Sequence, residues 1–300
     1  MKINVQRFRL NLRMKENITA YSLLLPAILF FLLFHYYPII SAFSMSFFDY
    51  KIIEIQHSFV GLHNYTALVH NSSFLRSFLN TTYYSVGALV VGIALALFFA
   101  NVFDKSTLLV EFYKTLYFIP VVTSMVAASL IWQYIYQPNI GLLNRVLKPL
   151  GIGPFSWLLD VRLALPSVIV VGIWKRVGFN IVIFLSGLKS IPDIYYDAAM
   201  IDGSSNWQSF VRITIPLLRP ITLFVLITTA IDSFQVFTQV YVMTSGGPVG
   251  ATQTLVYSIY NEGFKFQRLG SACAMTFVMF VVILIFTLVQ LKIAKSDYYE

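Results

Sequence analysis

The chain is 300 residues long, 58% hydrophobic and only 11% charged, with a formal charge of +8 and a mean hydropathy of +0.74. A water-soluble domain carries roughly 25% charged residues and could not hide this much apolar surface, so the composition reads as an integral membrane protein, which the length of its apolar runs makes all-α. The cations flank apolar runs, as the positive-inside pattern demands, and no nucleic-acid-binding motif accompanies them, so nucleic acid is not an expected partner.

Residues 1–18 form a basic tail with Lys2, Arg7, Arg9, Arg13 and Lys15. The apolar run that follows is too long for a signal-peptide core and no small-residue cleavage site closes it, so it is expected to stay as a span. A bilayer crossing needs about 20 apolar residues. Six runs meet that length, at 19–43, 82–101, 115–136, 163–187, 220–243 and 269–291, within a transmembrane domain over 19–291 and ahead of a tail at 292–300. With the N-terminus inside, Lys and Arg number twelve on inner segments, Lys105 and Lys114 among them, and seven on outer ones. The basic tail sets the orientation. Both termini are then cytoplasmic, and parity puts 188–219 there too.

The single cysteine, Cys273, excludes an internal disulfide and a thiolate metal site. His35, His57, His63 and His70 lack the spacing of a metal-binding helix face. No catalytic residue and no metal ligand is expected.

Two features interrupt the apolar pattern. The first is a set of ionisable groups inside spans, which are costly in lipid and point to function. Lys175 and Arg176 lie halfway along the fourth span and Asp232 halfway along the fifth, so an ion pair between them fits their depth. Trp174 and Phe179 flank the two cations, and an aromatic face suits the apolar face of a sugar ring. The second is the polar segment 188–219. Ser190 with Asp193 reads as a cap for a short helix with Pro192 in its first turn. Gly203 suits the left-handed end of that helix. Ser205 with Gln208 fits a capping box for a second helix, which Pro216 ends. Ala198 and Ala199 leave a small face beside the charges of Asp197 and Asp202.

Asp197-Ala198-Ala199-x-x-x-Gly203, followed by Phe210, Ile213, Pro216 and Pro220, resembles the signature loop of ABC importer permeases, in particular the carbohydrate-uptake branch. Other matches follow in order: Phe59-Val60-Gly61-Leu62-x-Asn64-Tyr65, Leu79-Asn80-Thr81-x-x-Tyr84, Trp157-Leu158-x-Asp160 and Thr244-x-Gly246-Gly247-Pro248. The resemblance implies a six-helix permease bundle with cytoplasmic coupling helices between the fourth and fifth spans. It assigns Asp197, Ala198, Ala199, Asp202 and Gly203 to docking on an ATPase, with Asp197 standing where the family usually has Glu. It places substrate contacts at Trp174, Phe179, Thr229, Asp232 and Ser233, with Asp232 where maltose-type permeases have an aromatic; Arg176 joins them as an ionisable group inside a span. The sequence holds no Gly-x-x-x-x-Gly-Lys-Ser/Thr phosphate loop. The implied partners are therefore two copies of a cytoplasmic ATPase that carry ATP and Mg, a second, paralogous permease, and an extracytoplasmic solute-binding protein landing on 138–162 and 244–268. This chain itself is expected to bind no cofactor. A competing reading is an ion-coupled secondary transporter that uses Asp232 and the two cations as a relay.

Overall fold

A computed structural model describes residues 2–103 and 116–296. Lys105, Lys114 and residues 297–300 lie outside the described residues. Apolar runs in lipid must close their backbone hydrogen bonds internally, which makes them helices. The chain begins with α1 (Lys2–Phe31), a π turn (Leu32–Tyr36) and α2 (Tyr37–Met45). A two-residue hairpin of β1 (Phe48–Asp49) and β2 (Ser58–Phe59) leads to α3 (His63–His70) and α4 (Ser72–Phe103). After α5 (Leu116–Val122) come α6 (Met125–Ile135), α7 (Leu142–Leu147), α8 (Ala164–Leu188) and α9 (Ile194–Ile201). The remainder is α10 (Asn206–Ser209), α11 (Ile215–Leu217), α12 (Arg219–Phe234), α13 (Thr238–Met243), α14 (Leu255–Tyr260) and α15 (Leu269–Ser296).

Among the described residues five helical segments are long and apolar enough to cross a bilayer: Glu16–Met45, Ser72–Phe103, Ala164–Leu188, Arg219–Met243 and Leu269–Ile293. The run read as one straight span over 115–136 is instead the pair α5 and α6, bent by 117°. Counted as one broken span, the pair brings the total to six. Helix α4 starts ten residues before the predicted span at 82, because the Asn71 side chain caps it. Its Oδ1 accepts from Ser73 N at 2.9 Å and Phe74 N at 3.1 Å.

Small residues let α4 and α8 approach closely. Ala88, Gly92, Ala96 and Ala100 recur every fourth residue along one buried stripe of α4. In lipid, where no hydrophobic force draws helices together, such stripes gain dispersion contact instead. Two apolar clusters result. One joins Tyr84, Ala88, Ile169, Ile173, Val236 and Val240. The other joins Ala96, Ala100, Phe184, Leu188, Ile191 and Leu218, next to the polar segment. Loops are tied to this frame by single polar side chains. Asn64 Nδ2 donates to the carbonyls of Ser46 and Phe48 at 2.8 and 2.9 Å. Asn80 Nδ2 donates to those of Gly250 and Gln253 at 3.0 Å each. Thr81 Oγ1 accepts from Leu255 N at 2.8 Å, and Trp157 Nε1 donates to Asn144 Oδ1 at 2.9 Å.

The segment 188–219 folds as two helical pieces, with three local differences from the sequence reading. Ser190 caps nothing ahead of it, since its hydroxyl donates back to the Gly187 carbonyl at 2.7 Å. Asp193 holds the N-cap position of α9 without a side-chain bond, and Pro192 precedes that cap. Pro216 does not end the second piece. A π turn at Phe210–Thr214 widens the backbone just before it, which accommodates the ring and the missing N–H, and helix continues into α12. Gly203 does end α9, with φ +76°. Ser204 N donates to Ala199 O at 2.9 Å and Gly203 N to Met200 O at 3.1 Å, the paired bonds of a Schellman end. Both halves of the Ser205–Gln208 capping box are present, at 2.8 and 3.3 Å.

Gly178 of α8 lies where a Cβ would run into the Tyr117 carbonyl oxygen of α5. Gly178→Val is expected to cost about 1–3 kcal/mol and to lower the unfolding midpoint in detergent. An unchanged midpoint would show that α5 does not seat there.

Candidate functional site

Two spans break among the described residues, and both breaks border one cavity. The first lies between α5 and α6, where Thr123 and Ser124 leave the helix. The second lies between α12 and α13, at Gln235, Val236 and Phe237. Non-helical backbone at membrane depth persists where protein or a water-filled cavity satisfies it. The cavity, of about 460 Å³, is walled by α4, α8, α12 and both breaks. That volume falls within the range of small-molecule sites, roughly 300–1,000 Å³.

Lys175 closes the first break. Its Nζ donates to the carbonyls of Pro120 and Thr123 at 2.6 Å and of Val121 at 3.1 Å. Thr254 Oγ1 supports the second, donating to the Val236 carbonyl at 3.1 Å. The sequence suggested Lys175 or Arg176 as the partner of Asp232, and the structure separates their roles. Arg176 Nη1 lies 2.9 Å from Asp232 Oδ2, joining α8 to α12. The Arg176 guanidinium also sits over the Phe179 ring, 5.0 Å from its centroid.

Five of the six residues read as substrate contacts line this cavity: Arg176, Phe179, Thr229, Asp232 and Ser233. Trp174 does not. It points toward α6 and packs edge-on against Trp132, ring centroids 5.5 Å apart. Sequence reasoning missed Tyr84, Asn180, Gln235 and Gln239, all on the wall. Asn180 Nδ2 donates to Thr229 Oγ1 at 3.2 Å, and Gln239 Nε2 donates to Tyr84 Oη at 2.7 Å. Asn180 and Gln239 were legible in principle, as buried amides within apolar runs. What the cavity offers a solute is hydroxyl and amide groups, one aromatic face and one ion pair.

Away from the cavity, Asp197, Ala198, Asp202 and Gly203 are exposed and Ala199 is buried. Buried Ile191 and the hydroxyl pair Tyr196–Thr214, 2.8 Å apart, root α9 in the lower cluster.

A helical bundle with broken spans around a polar cavity and an exposed helix pair between two spans is the build of a membrane permease. The sequence profile of the family described as "Binding-protein-dependent transport system inner membrane component" matches residues 88–296, and the chain belongs to that family. It is 36% identical over 278 residues to the arabinooligosaccharides transport system permease protein AraP of Bacillus subtilis (strain 168), covering 90% of this chain and 87% of AraP. It is 32% identical to the sn-glycerol-3-phosphate transport system permease protein UgpA of Agrobacterium fabrum (strain C58 / ATCC 33970), over 94% of this chain and 96% of that one. Among solved structures it resembles a chain of a bacterial ABC transporter involved in the import of the acidic polysaccharide alginate. The TM-score is 0.84 at 25% identity, covering 96% of this chain and 99% of that chain. The chain is thus an ABC importer permease, a multi-pass membrane protein, and the ion-coupled alternative falls away.

Lys175→Met would leave three carbonyls at the first break without their donor, two of them in part-buried bonds, where an unpaired buried group costs about 1–3 kcal/mol. The unfolding midpoint is expected to drop well below that of the exposed control Lys189→Met. Equal midpoints would remove Lys175 from this role.

Proposed function

We propose that the chain forms one half of a pore that imports a saccharide, driven by ATP hydrolysed on a separate subunit. The observation that carries this is the cavity itself: hydroxyls, amides, an aromatic face and an ion pair, between two broken spans of an ABC permease. Hydroxyl-rich solutes fit that lining. The relatives' names point the same way, toward arabinooligosaccharides, sn-glycerol-3-phosphate and alginate.

In this reading both termini and segment 188–219 are cytoplasmic, and α9 and α10 are the contact for the ATPase, which holds ATP and Mg. Asp197, Ala198, Ala199, Asp202 and Gly203 form that contact together with an apolar fringe of Ile194, Met200, Ile201 and Trp207, all exposed outside the spans. Exposed apolar patches mark interaction surfaces. The solute-binding protein lands on the outer segments 138–162 and 244–268. A related alginate transporter was solved in complex with a pentasaccharide-bound periplasmic protein. The second half of the pore is a paralogous permease. The most apolar window of the first span buries none of its residues within this chain, which suits a helix shared with lipid and a second permease. Trp174, outside the cavity wall here, serves the site through Trp132 and α6.

Deleting 193–212 is expected to leave membrane insertion intact and abolish ATP-driven uptake in cells that carry the whole system. Ile201→Asp, at a side chain 86% exposed, spares the fold and should cut uptake at least tenfold by weakening the same contact, taking a lost interface anchor as about 2 kcal/mol. Normal uptake by both variants would sink the docking assignment.

A further inference from the structure

Among the described residues three charged side chains line the cavity, Lys175, Arg176 and Asp232. They are not equally available to a solute. The Lys175 ammonium is turned onto three backbone carbonyls at the first break. The Arg176 side chain is 25% exposed, with Nη1 committed to Asp232 and Nε buried. The Asp232 side chain is 61% exposed. Both cations are therefore held back in the wall, and the charge that a solute meets is a carboxylate.

We infer that Asp232 acts as a charge filter, making the cavity selective for neutral saccharides over acidic ones. This rests on the saccharide reading above and adds the charge class of the substrate. A sugar hydroxyl can donate to the open carboxylate oxygen, a charge-assisted bond. A uronate carboxylate finds a like charge there, beside an Arg176 whose Nη1 is already paired with Asp232. Discrimination of this kind comes from a repulsive group set against the wrong ligand. The resemblance to an importer of acidic polysaccharide concerns the fold. The polarity of this lining points the other way.

The test uses the assembled complex of this chain with its second permease and ATPase subunits, purified without the solute-binding protein, so that only the cavity selects. Arabinopentaose and an alginate pentasaccharide are compared at equal concentration by saturation-transfer NMR. The wild-type complex should bind the neutral ligand about tenfold more tightly or better, the scale of one like-charge contact at intermediate dielectric. Asp232→Asn frees Arg176 and should move the ratio at least tenfold toward the acidic ligand. In the double variant Arg176→Gln/Asp232→Asn both charges are gone, and the ratio should fall to about one. Groups from the second permease are common to all three complexes, so a change in ratio reports this pair. If Asp232→Asn fails to assemble, the double variant carries the comparison. Equal binding of both sugars by the wild type, or an unmoved ratio in the variants, would overturn the filter alone. Binding of neither sugar by the wild type would overturn the saccharide reading with it.

Discussion

A span that breaks inside a membrane leaves backbone groups that need a partner other than the helix itself, and the described residues hold two such breaks. Each is satisfied by a side chain from a neighbouring element. Lys175 reaches across from α8 to three carbonyls around Thr123, and Thr254 reaches the Val236 carbonyl. Without those donors the part-buried groups among them would go unpaired, at about 1–3 kcal/mol for a buried group. The breaks therefore exist where α8 and the loop that carries Thr254 can serve them, and that fixes where the cavity opens. An ionisable residue in a span is often read as a contact for solute. Lys175 shows the other use, a half-buried cation whose ligand is the protein's own backbone.

The ion pair ties this arrangement to the polar segment. Arg176 stands on α8, which ends at Leu188, and Asp232 on α12, which begins at Arg219. These are the two helices that enter and leave the segment carrying α9. The lower cluster of Phe184, Leu188, Ile191 and Leu218 packs their ends together. In the proposed reading, a push on α9 reaches the cavity through two rigid helices bridged by one salt bridge. Close-packed interfaces switch between discrete arrangements rather than deforming smoothly, so a pair joining the middle of α8 to the far end of α12 is well placed to differ between states.

Much of this was legible in the sequence, for reasons that can be named. Span length and charge flanks depend on composition alone, and Gly203, Ser205 and Gln208 act through local geometry that neighbours do not override. The depth match of Arg176 and Asp232 follows from counting along two helices. Other features depend on contacts between segments far apart in the chain. The run 115–136 looks straight by hydropathy because apolar residues continue through Thr123–Ser124, and only Lys175 from another helix makes a break affordable there. Trp174 and Phe179 are five residues apart on α8, which turns them to different sides, so one faces Trp132 and the other the cavity. Pro216 looks like a stop, and the π turn before it that lets helix continue leaves no trace in periodicity.

The matching motifs outside the signature segment gain a physical meaning from this. Asn64, Asn80, Thr81 and Trp157 do not line the cavity between the breaks. Each pairs backbone or side-chain groups between elements distant in sequence. Asn80 and Thr81 lie on α4 and hold the loop and helix start at Gly250–Leu255, directly before α14. Tyr84, one turn further along α4, bonds Gln239 on the cavity wall. One face of α4 thus runs from loop anchor to cavity wall to the small-residue stripe that seats α8. Were that face to rotate, the loop at Gly250–Gln253, the second break and the ion-pair helix would all lose register together. Such a motif constrains the frame against which the two broken spans can move, and it leaves substrate choice to the few side chains that face the opening.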